Sequence, residues 1–305
     1  MLVTEQALYG RITSLHFFHP TGRLTGLVLV TSDKQQFAVL SWDAAAQTLV
    51  TESSGEIVER TGRPAIEACL VTVDPESRML AMYWYQGIVH LFQMAGGQAR
   101  RGSVRSAGGQ VRRASSGGIE EWPYAVREEI IGGLVVPEYL KETRAGSEFD
   151  APVGSSKGKS VAFAVRSGEL YPAVVQYIHE LKVLDMQFLR TSGKQPPALA
   201  VLYEDANMTR QIHVYRVGEA QGEMQLVSLW TSEPVDQTVS HIVALTNGAV
   251  LAIGDDSVAV VAQNTPMLSM SMRAASVTAW EWIDREQGER LLLADDEGVL
   301  SLVVL

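Results

Sequence analysis

A chain of 305 residues with 25 Lys and Arg against 35 Asp and Glu carries a formal charge of −10, which disfavours a general polyphosphate-binding surface. Hydrophobic residues make up 46% and charged residues 20%, enough apolar material for a large core and too much for a disordered chain. The single cysteine, Cys69, excludes an intrachain disulfide framework and a cysteine-rich zinc site, and makes a reducing compartment the natural expectation. No stretch reaches the roughly 18 apolar residues that span a bilayer, and the start, MLVTEQALYG, lacks the pattern of a secretory leader, so a soluble protein without a membrane partner is expected.

Short runs rich in Val, Leu, Ile and aromatics follow one another, each bounded by turn chemistry and too short for a helix. The first group is Arg11 to Phe18, Gly26 to Thr31, Gln36 to Trp42 and Thr48 to Glu52. After the loop from Ser53 to Pro64 come Glu67 to Val73, Arg78 to Tyr85 and Ile88 to Met94. The first two of these are joined by Asp74-Pro75-Glu76-Ser77, where Pro75 pre-sets φ for a type I turn. Lys182 to Arg190, Ala198 to Glu204, Gln211 to Val217 and Glu223 to Trp230 form another group of four. His241 to Thr246 and Ala249 to Ile253 flank Asn247-Gly248, a pair suited to a two-residue hairpin turn, and Ser257 to Gln263 follows. Ser276 to Ile283, Arg290 to Ala294 and Val299 to Leu305 close the chain.

The groups begin near residues 11, 66, 182, 239 and 275. Units of about 40 to 50 residues with four strands each are typical of propeller blades. The sequence therefore predicts an all-β chain, a β-propeller of four-stranded antiparallel blades, with a sandwich or barrel as the alternative. About five blades are present, so a seven-bladed ring would be incomplete.

Residues 95–172 depart in composition. The stretch AGGQARRGSVRSAGGQVRRASSGG holds five arginines, no acid and almost no large apolar residue, too little to offset the entropy of ordering. An acidic part follows, with a short helix expected around Ala125 to Ile131. The organisation read from this is a first propeller part over 1–94, a low-complexity, largely disordered insertion over 95–172, and the remainder of the propeller over 173–305.

The motifs give little chemistry. Gly154 to Ser160 lacks the glycine spacing of a phosphate-binding loop, and Val161 to Val165 after it reads as strand rather than helix. Two Arg-Arg-X-Ser stretches end at Ser103 and Ser115; they suit a basophilic kinase, or they are part of a solvated basic tract. The six histidines form no tight ligand set. Asp255-Asp256 and Asp295-Asp296-Glu297 sit where hairpin turns belong and lack calcium-loop spacing. Cys69, inside a strand with no basic neighbour, reads as a buried structural thiol. No metal, cofactor or catalytic constellation is recognised, so no enzyme is expected. In the loop Glu59-Arg60-Thr61-Gly62-Arg63-Pro64 two guanidinium groups flank a glycine, which fits partner recognition and fits a solvated turn equally.

Several blocks are familiar in combination. Leu8 to Ile12, the Glu59 to Pro64 loop, Val73 to Met79, His179 to Asp185, and Arg290 to Asp295 followed by Glu297-Gly298 resemble, in order, the first-propeller family that includes the large subunit of the UV-damaged-DNA-binding complex, the adaptor of cullin-4 ubiquitin ligases. The large subunit of the cleavage and polyadenylation factor and a splicing factor 3b subunit share this architecture and look less similar at the Gly-Arg-Pro loop. The resemblance implies a non-enzymatic scaffold in DNA repair and protein turnover, nuclear and also cytoplasmic. It implies docking of WD-repeat substrate receptors at Arg60 and Arg63, with Gly62 and Pro64 shaping the loop. Damaged DNA is then reached only through a partner, no cofactor is used, and cullin contact is not expected from this part of the architecture. An RNA-processing scaffold is the alternative it leaves open. On this resemblance the chain reads as a fragment or a shortened gene product.

Overall fold

Strands account for all the regular structure of the computed structural model, which describes residues 10–20, 25–58, 62–94, 128–131, 134–137, 174–191, 195–220, 223–284 and 288–305. Among these residues the strands form five radial sheets and one separate hairpin. Sheet one runs β1 (Ile12–Phe18), β2 (Leu27–Ser32), β3 (Gln36–Asp43) and β4 (Thr48–Glu56) as an antiparallel meander. Sheet two holds β5 (Ala65–Val73), β6 (Met79–Tyr85), β7 (Ile88–Gln93) and, some eighty residues later in the chain, β10 (Val174–Tyr177), which pairs with β7. Sheet three is β11 (Lys182–Phe188), β12 (Ala198–Glu204), β13 (Arg210–Ala220) and β14 (Glu223–Thr231). Sheet four is β15 (His241–Ala244), β16 (Val250–Ile253), β17 (Ser257–Ala262) and β18 (Thr265–Ser271). Sheet five has three strands, β19 (Val277–Asp284), β20 (Arg290–Asp295) and β21 (Leu300–Val304).

Four apolar clusters fill the junctions between consecutive sheets, and strand parity decides which junction a side chain enters. Leu80, Met82 and Trp84 of β6 pack toward sheet one, while Met79, Ala81 and Tyr83 pack toward sheet three. Leu199 and Val201 of β12 face sheet two, whereas Ala198, Ala200 and Leu202 face sheet four. In β16, Val250 and Ala252 face sheet three, and Leu251 and Ile253 face sheet five. A sheet covered on both sides needs apolar side chains at odd and even positions alike, which is why its strands read as unbroken apolar runs. The first strands touch in succession, β1 with β5, β5 with β11 and β11 with β15, so the first strand of each sheet lies innermost, as in a propeller.

The structure corrects several local expectations. Residues 128–131 are strand β8 (Glu128–Ile131), paired with β9 (Leu134–Pro137), not helix; Ile130 and Ile131 favour the extended state. β10, which completes sheet two, was not read from the sequence, because four residues just before the next blade carry no periodic signal. β18 was also missed: its pairing is an edge, six of its seven residues are exposed, and Pro266 near its start is a residue tolerated only at such edges. The Asn247-Gly248 hairpin is longer than a two-residue turn. Leu245 N–H donates to Ala249 C=O at 3.0 Å, Gly248 N–H donates to Leu245 C=O at 3.2 Å, and Gly248 sits at φ +80°, the three-residue loop in which the left-handed residue follows a turn. Pro75 does occupy the second position of a turn closed from Ser77 N–H to Asp74 C=O at 2.6 Å. The remaining residues of 95–172, including Ser103, Ser115 and the strand expected over Val161 to Val165, lie outside the described residues.

Candidate interaction site

The loop preceding β5 is held against the far end of its own sheet. Gly62 sits at φ +77°, a left-handed conformation natural to glycine, and Pro64 offers its C=O to Gln86 N–H at 3.1 Å. Arg63, half-buried, donates from Nη1 to Gln86 C=O at 2.9 Å and lies 5.3 Å from the ring centroid of Tyr177 in β10, a cation–π distance. The approach depends on Gly87: a Cβ there would lie 2.2 Å from Arg63 Nη1. One guanidinium carries several N–H donors, so the bond to Gln86 fixes the group without exhausting it. Gly62 and Pro64 are exposed; Arg60 lies outside the described residues.

Polar staples carry the order of the sheets inward from this rim. Asp74, 1% exposed, receives Arg78 through Nε at 2.7 Å, Nη2 at 2.9 Å and the backbone N–H at 3.1 Å. Arg78 then reaches sheet three, giving Nη1 to Gln195 C=O at 2.8 Å and Nη2 to Thr191 Oγ1 at 3.0 Å. Asp185, at a register break in β11, accepts Met186 N–H at 2.7 Å and Ile242 N–H at 2.9 Å, which ties sheet three to sheet four. Burial pushes its carboxyl up to about 7, against the opposing effect of those two N–H groups. His241 stacks against Trp280 at 4.8 Å, joining sheets four and five, and burial holds its imidazole below the usual range.

At the centre, the inner strands and the turns beside them border a half-open cavity of about 580 Å³. Phe17 and His19 from sheet one, Arg190 from sheet three, and Trp280 and Trp282 from sheet five line it. The sequence did not single these residues out as a group, because they come from strands far apart in the chain; the resemblance blocks at Asp74 and Asp185 were the nearest signal. The expected turns are turns: Asp295 Oδ1 accepts Glu297 N–H at 3.1 Å and Val299 N–H at 2.7 Å. Cys69 is buried in β5, and burial pushes its thiol up. Among the described residues no three His, Cys, Asp or Glu side chains are placed to hold a metal ion, and no helix is long and apolar enough to cross a membrane.

Radial antiparallel sheets of three or four strands, with first strands innermost and touching in succession, define the β-propeller class. The chain belongs to the RSE1/DDB1/CPSF1 first β-propeller family, matched over residues 1–136 and 147–305. It is similar to DNA damage-binding protein 1 of Oryza sativa subsp. japonica, 23% identical over 300 residues covering 98% of this chain and 21% of that protein. DNA damage-binding protein 1 of Solanum lycopersicum is 24% identical over 300 residues, with 98% and 21% covered. DNA damage-binding protein 1b of Arabidopsis thaliana is 23% identical over 305 residues, with 99% and 21% covered. The chain thus spans about a fifth of the length of the curated relatives it matches.

Proposed function

We propose that this chain is a non-enzymatic protein-interaction scaffold of the damaged-DNA-binding adaptor type, a propeller that docks substrate receptors for cullin-4 ubiquitin ligases in DNA repair and protein turnover. The observation that carries this reading is membership of the first-propeller family along nearly the whole chain. The rim loop supports it: an arginine already oriented by Gln86 and Tyr177 loses little side-chain freedom when a partner carboxylate or carbonyl meets it. Receptors of the WD-repeat type dock at Arg60 and Arg63, with Gly62 and Pro64 setting the loop. DNA is reached through the receptor, in keeping with the formal charge of −10; cullin contact is not assigned to this chain. The compartment that follows is the nucleus, with a share in the cytoplasm.

Binding of the chain to a purified WD-repeat receptor, measured by calorimetry, tests this. Arg60→Glu and Arg63→Glu are expected to weaken binding at least about tenfold each, or about 1.4 kcal/mol, with unfolding midpoints recorded because Arg63 also anchors its loop. Unchanged affinity in both variants would remove the site. Capture of only polyadenylation or splicing subunits from nuclear extract would replace the reading with an RNA-processing scaffold.

A further inference from the structure

At the outer part of sheet three, four side chains from three segments form one hydrogen-bonded chain. Glu180, 6% exposed, lies in the connection between β10 and β11. Its Oε1 is 2.5 Å from Nδ1 of His213 in β13, and its Oε2 accepts the hydroxyl of Tyr215 at 2.6 Å. His213 Nε2 is 2.7 Å from Oγ of Ser228 in β14. From this arrangement we propose that Ser228 is an activated serine nucleophile, able to take an acyl or phosphonyl group from an ester or a fluorophosphonate.

The sheet explains why the groups converge. Ser228 stands opposite Tyr215 in the ladder, so both project from the same face, and His213 two residues earlier shares it. The imidazole and the Tyr215 ring lie 4.1 Å apart, which limits how the imidazole can turn. The register steps from Tyr215↔Ser228 to Val214↔Trp230, leaving Leu229 without a partner; such a bulge re-aims the neighbouring side chain. Ser228 thereby comes within reach of His213 although it is not directly opposite it.

The hydrogen bonds also fix a hydrogen on Nδ1 of His213. Burial tends to raise the Glu180 carboxyl, but the bonds from His213 and Tyr215 outweigh it and hold the group below its ordinary value. Burial and the same carboxylate raise the Tyr215 phenol, so Tyr215 stays a donor. An ionised carboxylate only accepts, so Nδ1 of His213 carries a hydrogen and, in the neutral ring, Nε2 is the acceptor for Ser228 O–H. This is the tautomer in which a histidine acts as base toward a serine. The acid is buried, the ring half-buried and the hydroxyl exposed, so the one group that must meet a reagent is the one solvent reaches.

With a fluorophosphonate, Ser228 Oγ forms the new O–P bond, the P–F bond breaks, fluoride leaves with its electron pair, and the hydroxyl proton passes to His213 Nε2. With an ester the same attack gives an acyl-serine, and the leaving alkoxide takes the proton back from His213. Glu180 is a positioning residue: it orients the ring and does not touch the reagent. The site faces open solvent, so it suits small activated esters rather than a shaped substrate. This reactivity is additional to the scaffold reading and independent of the Arg60 and Arg63 loop.

The full chain is treated with a fluorophosphonate probe, and the modified peptide is identified and its formation timed by mass spectrometry. One adduct is expected on Ser228, none in Ser228→Ala, and labelling at least about tenfold slower in His213→Gln and Glu180→Gln, within the range a positioned base supplies. The wild-type rate is expected to fall on acidification, as attack assisted by a base requires, with Glu180 and Tyr215 against the ring and Tyr203 of β12 facing Glu180. An unassisted hydroxyl also slows on acidification, but its rate climbs without limit toward alkaline pH, whereas a positioned base gives a rate that levels off; that plateau is read from the wild type even where a His213 variant does not fold. No adduct on Ser228, equal rates in wild type and a folded His213→Gln, or a wild-type rate indifferent to pH would overturn the proposal.

Discussion

Strand β6 of sheet two and strand β21 of sheet five are both apolar in sequence, yet they meet different surroundings. All seven residues of Met79–Tyr85 are buried, because sheet one covers one face and sheet three the other. In β21, Val303 is 3% exposed while Leu300, Leu302 and Val304 are 64%, 53% and 63% exposed, because among the described residues sheet four alone packs against that sheet. Sheet one mirrors this at the other end, with Leu15 and Phe17 62% and 67% exposed. The comparison teaches that the apolar character of a blade strand states what the strand is fit to be packed against, while its position in the series decides whether it is.

The largest expected effect that sharpens this contrast comes from the two leucines Leu80, 0% exposed, and Leu302, 53% exposed. Leu80→Ala is expected to cost about 2 to 5 kcal/mol in chemical denaturation, through lost burial and the cavity left behind. Leu302→Ala is expected to stay within about 0.5 kcal/mol; equal losses at the two positions would mean that the outer face of sheet five is covered. Next is Asp74→Ala, which leaves the Arg78 guanidinium, 14% exposed, without the carboxylate between sheets two and three. A loss of about 3 kcal/mol is expected, and a change below about 0.5 kcal/mol would show that Glu76, Thr191 and Gln195 hold Arg78 without Asp74.

A further effect is a pH dependence at the junction of sheets three and four. Asp185 titrates at about 7 in the folded protein against an ordinary value of 3.8. Between these values the folded state keeps a proton that the unfolded chain has lost, so the group's contribution to stability declines as pH rises through the window, by up to about 1.4 kcal/mol per unit. Thermal unfolding from pH 4 to 8 is expected to show this decline in wild type and less of it in Asp185→Asn. Parallel profiles for the two proteins would place the titration elsewhere.

Much of the fold was legible because its signals are local. Alternation, strand length and turn residues such as Pro75 and Gly298 located most strands to within a few residues. The blocks that carry the family resemblance turn out to hold staples between sheets: Asp74 with Arg78, and Asp185 with Ile242. The candidate site was legible only in part. Gly62, Arg63 and Pro64 were picked out as a loop, but nothing in the sequence indicated that Arg63 would rest on Tyr177, more than a hundred residues away in the chain. Glu180, His213 and Ser228 gave no motif at all, since their spacing reflects the path of a blade rather than a loop built around a ligand.

By itself the sequence determined the all-β character, the repeating unit and the family, because backbone preference, side-chain alternation and turn chemistry depend on near neighbours in the chain. Tertiary structure alone decided that Val174–Tyr177 completes sheet two, which sheet faces are covered, and that a buried glutamate, a histidine and a serine align. Those outcomes depend on which sheet is stacked against which, and on ladder register and bulges that set where a side chain ends up, so they are properties of the assembled strands and not of any one segment.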